Sequence, residues 1–131
     1  SYSHHPSVLG SHEKFTAINS AIEVGLDGST NSEWVAGKIV SGPGGQPDFA
    51  MGANYSKGGR SIIAIPSTTK GGKISRIVRE LQAGMPSTLP RYLADVVVTE
   101  NGVAHLKNRP LPERAKSLRN IADPTFQKLL R

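Results

Sequence analysis

Apolar residues in this chain gather in short runs separated by glycine, proline and small polar residues, the spacing of a strand-rich domain rather than a helical bundle. The first run, residues 15–26, is apolar with polar interruptions and ends on Leu26-Asp27-Gly28-Ser29, which predicts a strand, a turn and a second strand over 33–40. Ser41-Gly42-Pro43-Gly44-Gly45-Gln46-Pro47-Asp48-Phe49 carries too much glycine and proline for a regular helix or a central strand, so a loop is predicted there. A short helix is predicted over 49–54. Lys57-Gly58-Gly59-Arg60 then turns the chain into Ser61-Ile62-Ile63-Ala64-Ile65-Pro66, an isoleucine-rich run that suits a strand buried on both faces. Gly71-Gly72 makes a second turn before Ile74-Ser75-Arg76-Ile77-Val78, which is strand-like, and Asp95-Val96-Val97-Val98-Thr99 is the clearest strand of all. Beyond it, 102–106 is expected to start a helix, Pro110 to open another running to about residue 122, and Asp123-Pro124 to cap a closing helix through Leu130.

Strands therefore dominate the first three quarters and helices the end, predicting an α/β domain in which helices cover a mixed sheet. A length of 131 residues suits one such domain. Residues 1–14 are polar and histidine-bearing without periodicity and are expected to form an extended arm or linker remnant, leaving 15–131 as the domain proper. The chain has no cysteine, which excludes disulfides, zinc–thiolate sites and a cysteine nucleophile, and makes a reducing cytoplasm its natural setting. No apolar run reaches the roughly 20 residues that span a bilayer, and Ser1-Tyr2-Ser3-His4-His5 is unlike a signal peptide. The missing initiator methionine fits a chain that starts inside a longer product.

A net charge of +6 biases the surface towards polyanions. The basic residues are dispersed, however, and no glycine-aromatic motif interleaves them, so a phosphorylated small molecule is favoured over nucleic acid. Ser41-Gly42-Pro43-Gly44-Gly45 is the most informative local feature: adjacent glycines leave backbone N–H groups unshielded, suited to an oxyanion or a phosphate, although an ordinary tight connection reads the same way. Gly71-Gly72-Lys73 is followed by Ile74 where a phosphate-binding loop would need a hydroxyl for magnesium, so nucleotide hydrolysis is rejected. Lys70 and Lys73 can still meet phosphates as point charges. Glu100 ends the valine strand, where α/β sheets hold ligands. Glu23 and Asp48 are read as structural hydrogen-bond acceptors. His4, His5, His12 and His105 show no metal-ligand spacing, and no metal site is expected.

Taken together, Phe15-Thr16-Ala17-Ile18-Asn19-Ser20-Ala21-Ile22-Glu23-Val24, the 41–49 segment, Gly71-Gly72-Lys73-Ile74-Ser75-Arg76-Ile77-Val78 and Val97-Val98-Thr99-Glu100 resemble the acetyl-CoA hydrolase/CoA-transferase family, with the 4-hydroxybutyrate CoA-transferase branch the most similar. The resemblance implies an enzyme of two similar α/β halves of which this chain matches the second, with coenzyme A or acyl-CoA and short-chain carboxylic acids as substrates and a homo-oligomeric assembly. It implies a glutamate nucleophile, supplied by the amino-terminal half, that passes through an acyl anhydride and a glutamyl-CoA thioester. On this chain it implies that Gly45 donates a backbone N–H to the oxyanion, a contact typically worth about 3 kcal/mol. Glu100 becomes a second active-site carboxylate, Ser41, Gly42 and Gly44 part of the CoA wall, Lys70 a CoA contact, and Asn19 a residue near the active site. Asn101 stands where the family usually has tyrosine, and Met51 where it commonly has arginine.

Overall fold

The computed structural model of the chain describes residues 6, 16–35, 38–39, 46–69, 71–82 and 87–131. Strands β1 (Thr16–Asn19), β2 (Glu23–Gly25), β3 (Thr30–Asn31), β4 (Trp34–Val35) and β5 (Lys38–Ile39) lead into helix α1 (Gln46–Tyr55). Then come β6 (Arg60–Ala64), β7 (Ile77–Val78), β8 (Val96–Thr99), β9 (Gly102–His105) and helix α2 (Leu111–Ile121), with single 3₁₀ turns at Arg91–Leu93 and Gln127–Leu130.

The main sheet has the order β1-β6-β8-β9, with β1, β6 and β8 parallel and β9 antiparallel to β8. Side chains alternate across a strand, and the register aligns Ala17 with Ser61, Ile63 with Val97, and Val97 with Ala104. These five residues share one face and all are buried. Helix α1 packs over β1 and β6, and α2 over β8 and β9, on that face. The opposite face is more open: Ile18 is 68% and Val103 52% exposed, Ala64 is exposed, and Ile62 and Val98 are half-buried, while Val96 beside Ile62 is buried. The reading of 61–66 as buried on both faces is thus corrected, because both helices lie on the same side.

A smaller sheet, β3-β2-β7, sits beside the first and shares its core, in which Val24, Ile77, Leu89, Leu106 and Leu118 are fully buried. The connecting piece is Arg114. Buried on α2, it donates from Nη1 to the carbonyls of Asp27 (3.0 Å) and Arg91 (2.6 Å) and from Nε to that of Arg109 (3.1 Å). Burial pulls its pKa below the ordinary arginine value, the Asp27 charge partly opposes this, and Arg91 adds to it.

Other expectations change as well. The 15–26 run is two strands in different sheets, β1 and β2, split at Ser20-Ala21-Ile22. Residues 102–106 are strand β9 rather than a helix start, since a two-residue turn at Glu100-Asn101 folds the chain straight back onto β8, with Thr99 opposite Gly102. The closing helix is only the 3₁₀ turn at 127–130, although Asp123 Oδ1 does accept the Thr125 N–H as the cap reading required. Where one strand was expected over 33–40, Trp34–Val35 instead pairs antiparallel with Lys38–Ile39. The helix expected at 49–54 starts earlier, because Pro47 lies in its first turn, where no N–H is missed.

Candidate functional site

The carboxyl ends of β1, β6 and β8 form one edge, and the residues there are the candidates for chemistry. Asn19 closes β1 opposite Ile63, Ala64 closes β6 opposite Val98, and Glu100 follows Thr99 at the end of β8. With β6 between them, β1 and β8 lie two strand spacings apart, roughly 10 Å. Asn19 lines a cleft of about 210 Å³ with Thr16, Ala17, Ile18 and Phe49. Glu100 borders an apolar depression of about 470 Å³ with Ala64, Ile65, Pro66, Val98 and Thr99.

The turn bearing Glu100 is held from below. Thr99 Oγ1 donates to the Ile121 carbonyl (2.6 Å) and accepts the Asn101 N–H (3.0 Å), while Asn101 Nδ2 donates to the carbonyls of Ile121 (3.4 Å) and Ala122 (3.3 Å). Asn101 therefore helps to satisfy the carboxyl end of α2 through its amide. The Glu100 carboxylate accepts the Ser67 N–H at 2.8 Å. That bond, followed by Glu100's own N–H, holds its pKa below the ordinary 4.5; slight burial pushes up, the Ser67 hydroxyl pulls down, and Asp123 pushes up. Glu100 is thus an anion at neutral pH.

A second approach to the edge comes through α1. Gln46, at the start of that helix, is buried, and its Oε1 accepts from Ser32 Oγ at 2.7 Å. The same hydroxyl reaches the Ser20 carbonyl at 3.4 Å, immediately beyond Asn19. Gln46 Nε2 has no partner among the described residues. At the far end of α1, Asn54 Nδ2 donates to the Leu93 carbonyl (3.3 Å), ahead of β8. The helix therefore starts at the carboxyl edge and ends at the opposite one. Asp48 lies in its first turn, where the helix dipole favours a negative charge, and Met51 is half-buried further along.

A third comes from the segment after β6. Thr68 bridges Ser75, Thr69 N–H donates to the Ile74 carbonyl (2.9 Å), and Gly71 and Gly72 take φ of 90° and 71°, so Thr68-Thr69 pairs with Ile74-Ser75 beyond the Ser67 end. Lys73, just before Ile74, is exposed.

Of the residues singled out in the sequence, Asn19 and Glu100 share this edge. Ser41, Gly42, Gly44, Gly45 and Lys70 lie outside the described residues, as do His4, His5, His12 and nearly all of the 1–14 arm. Glu23 accepts from Asn31 Nδ2 at 3.4 Å, in keeping with a structural role. Ser67 was not singled out: it sits 33 residues from Glu100, and nothing in the local sequence pattern announces the contact. Among the described residues no three metal-ligating side chains gather, and no helix is long and apolar enough to cross a membrane.

Comparison with known proteins decides the family. The model of the acetyl-CoA hydrolase/transferase C-terminal domain matches residues 1–131. The chain belongs to that family. It is 49% identical to the 4-hydroxybutyrate coenzyme A transferase of Clostridium kluyveri over 129 residues, 98% of this chain and 30% of that protein. To the succinyl-CoA:cyclohexane-1-carboxylate CoA transferase of Geobacter metallireducens it is 42% identical, across 96% of this chain and 29% of the relative. The crystal structure of RipA from Yersinia pestis superimposes with a TM-score of 0.91 at 40% identity, covering 98% of this chain and 29% of that one. The chain thus spans about a third of the length of these relatives, and the α/β architecture is that of a CoA-transferase carboxy-terminal domain.

Proposed function

We propose that this chain forms the CoA-binding wall and oxyanion side of an acyl-CoA:carboxylate CoA-transferase site that an amino-terminal half completes. The observation that carries the reading is the convergence of Asn19, Gln46 and Glu100 on one carboxyl edge, the side on which α/β sheets hold ligands. Gly45 directly precedes Gln46 in the chain, and in this reading it is the glycine whose N–H serves the oxyanion. Lys70 directly follows Thr69 in the chain, and in this reading it meets a CoA phosphate as a point charge. Ser41, Gly42 and Gly44 complete the CoA wall.

In this reading a glutamate of the amino-terminal half attacks the thioester carbonyl. The C–S bond breaks, CoA leaves as thiolate, and an acyl anhydride forms. The thiolate then attacks the glutamyl carbonyl and releases the first acid, leaving a glutamyl-CoA thioester that a second carboxylate resolves by the reverse sequence. The Gly45 N–H stabilises the oxyanions of both tetrahedral states. Glu100, anionic and fixed, orients the nucleophile or the incoming acid, and Asn19 lines the approach. The chain alone is inactive because it lacks the nucleophile, and the cysteine-free composition fits a cytoplasmic enzyme.

Acetyl-CoA hydrolysis is the second reading, since the family spans both reactions. The test is to join the amino-terminal half and assay CoA release from acetyl-CoA with and without 4-hydroxybutyrate. Transfer that requires the acid, together with a covalent CoA adduct in the intact mass, supports the transferase. Equal release without the acid favours the hydrolase, and no turnover of either kind overturns both. A stand-alone CoA-binding module without catalysis would bind CoA yet gain no activity on joining.

A further inference from the structure

Ser67 lies two residues beyond Ile65 on the continuation of β6. The Ile65 N–H donates to the Val98 carbonyl at 3.0 Å, the last main-chain rung between β6 and β8. In a parallel ladder the donors on one edge recur every second residue, so the Ser67 N–H is the next in line. It donates not to a carbonyl but to the Glu100 side chain, 2.8 Å away. The carboxylate has taken the place of a rung. The Ser67 carbonyl is tied as well: it accepts the Arg76 N–H at 2.8 Å, while the Arg76 guanidinium donates to the carbonyls of Thr68 (3.4 Å) and Ile22 (3.0 Å). Ser67 is 1% exposed, and its hydroxyl is buried with no hydrogen-bond partner among the described residues, although it lies near enough to the Glu100 carboxylate to help lower its pKa.

A buried hydroxyl left unpaired is unfavourable, and where structure retains one it needs an explanation. This one sits on the residue whose N–H already holds the anion. We propose that Ser67 is the positioning residue for Glu100, its N–H fixing the carboxylate at the sheet edge and its hydroxyl serving as a second donor when the carboxylate turns towards substrate. The second part rests on the reading of Glu100 as an active-site carboxylate; the first does not. The lowered pKa of Glu100, to which both groups of Ser67 contribute, agrees with the geometry.

The experiment begins with the unsubstituted chain. In a pH titration followed by NMR, the Ser67 amide proton is expected to move with the same midpoint as the Glu100 carboxyl carbon, and to stop titrating in Glu100→Gln. An amide proton indifferent to Glu100 overturns the proposal. Ser67→Ala removes a hydroxyl that makes no hydrogen bond to the described residues but helps to lower the Glu100 pKa, so it is expected to melt no lower than the parent, with the Glu100 midpoint moved upward; an unmoved midpoint removes the hydroxyl's role. In the enzyme joined to its amino-terminal half, with acetyl-CoA and 4-hydroxybutyrate, Ser67→Ala is expected to lower kcat about tenfold with KM for acetyl-CoA little changed. Adding it to Glu100→Gln is expected to cost nothing further, as for two residues acting as a unit. Additive losses overturn the positioning role. If the midpoints couple as expected but Glu100→Gln leaves kcat untouched, the clamp stands and the catalytic reading of Glu100 fails.

Discussion

Glu100 joins the physical and functional arguments at the scale of single residues. Its folded pKa lies below the ordinary 4.5, chiefly because the Ser67 N–H stabilises the charged form. The resulting contribution to stability is complete above about that ordinary value and is lost as pH falls through the lowered folded midpoint. Thermal melts of the chain and of Glu100→Gln are therefore expected to differ most at neutral pH and to converge in acid; a constant offset at every pH would contradict the assignment. Gly28 is the second residue whose identity is dictated. Its φ is 96°, and an added Cβ would lie 2.9 Å from Arg114 Nη1 and 3.0 Å from Ala94 Cβ. Gly28→Ala is expected to destabilise by about 2 kcal/mol, combining left-handed backbone with displacement of the guanidinium, measured as a lower denaturant midpoint at unchanged slope. Arg114→Ala would leave the carbonyls of Asp27, Arg91 and Arg109 short of a donor and is expected to cost about 3 kcal/mol. Arg114→Lys would recover only part of this, since one ammonium cannot reproduce the fork. A fully stable Arg114→Ala would show that the small sheet docks without it.

Among the elements, β6 and β8 form the pair on which the site stands, and both of their ends are fastened by side chains. At the amino edge the buried Asp95 accepts the Ser61 N–H (3.2 Å) and lies 3.5 Å from Arg60 Nη1. At the carboxyl edge Glu100 accepts from Ser67. Both strands were legible as apolar runs, because consecutive isoleucines and valines are a direct signal. Helix α2 was legible as well, since Pro110 sets its start. Strand β9 was not: Gly102-Val103-Ala104-His105 is too short to show a period, and the tight turn at Glu100-Asn101 decides it. Nor was the split between β1 and β2, where the chain leaves one sheet for another without a glycine or proline to mark it. In the site, the family motifs found Glu100 and Asn19, whereas Ser67 emerged only from a contact between strands distant in sequence. Ile63, fully packed between α1 and the sheet, carries the prediction at this scale: Ile63→Ala is expected to cost 2–5 kcal/mol, about the usual range for a buried isoleucine. A loss below 1 kcal/mol, roughly what a half-buried position would give, would contradict the assigned face.

At the scale of the whole molecule, helices α1 and α2 lie on the same side of the main sheet. Parallel sheets normally have both faces covered, yet on the second Ile18 and Val103 are exposed and Ile62 and Val98 only half-buried. An apolar face of this kind favours association, and in our reading the amino-terminal half of the enzyme lies against it. The chain alone is accordingly expected to self-associate in sedimentation velocity as concentration rises, and Ile18→Lys with Val103→Lys to shift it towards monomer. A strictly monomeric parent chain would remove that argument.

The central claim is that this chain supplies the CoA wall of a transferase site, and titration calorimetry of the enzyme joined to its amino-terminal half tests it most directly. CoA would be titrated at two salt concentrations into that protein and into its Lys70→Ala variant. Saturable binding that weakens with salt and weakens about tenfold on loss of Lys70, as expected for one charged contact to phosphate, is the predicted result. Binding indifferent to both salt and Lys70, or no binding at millimolar CoA, would contradict it.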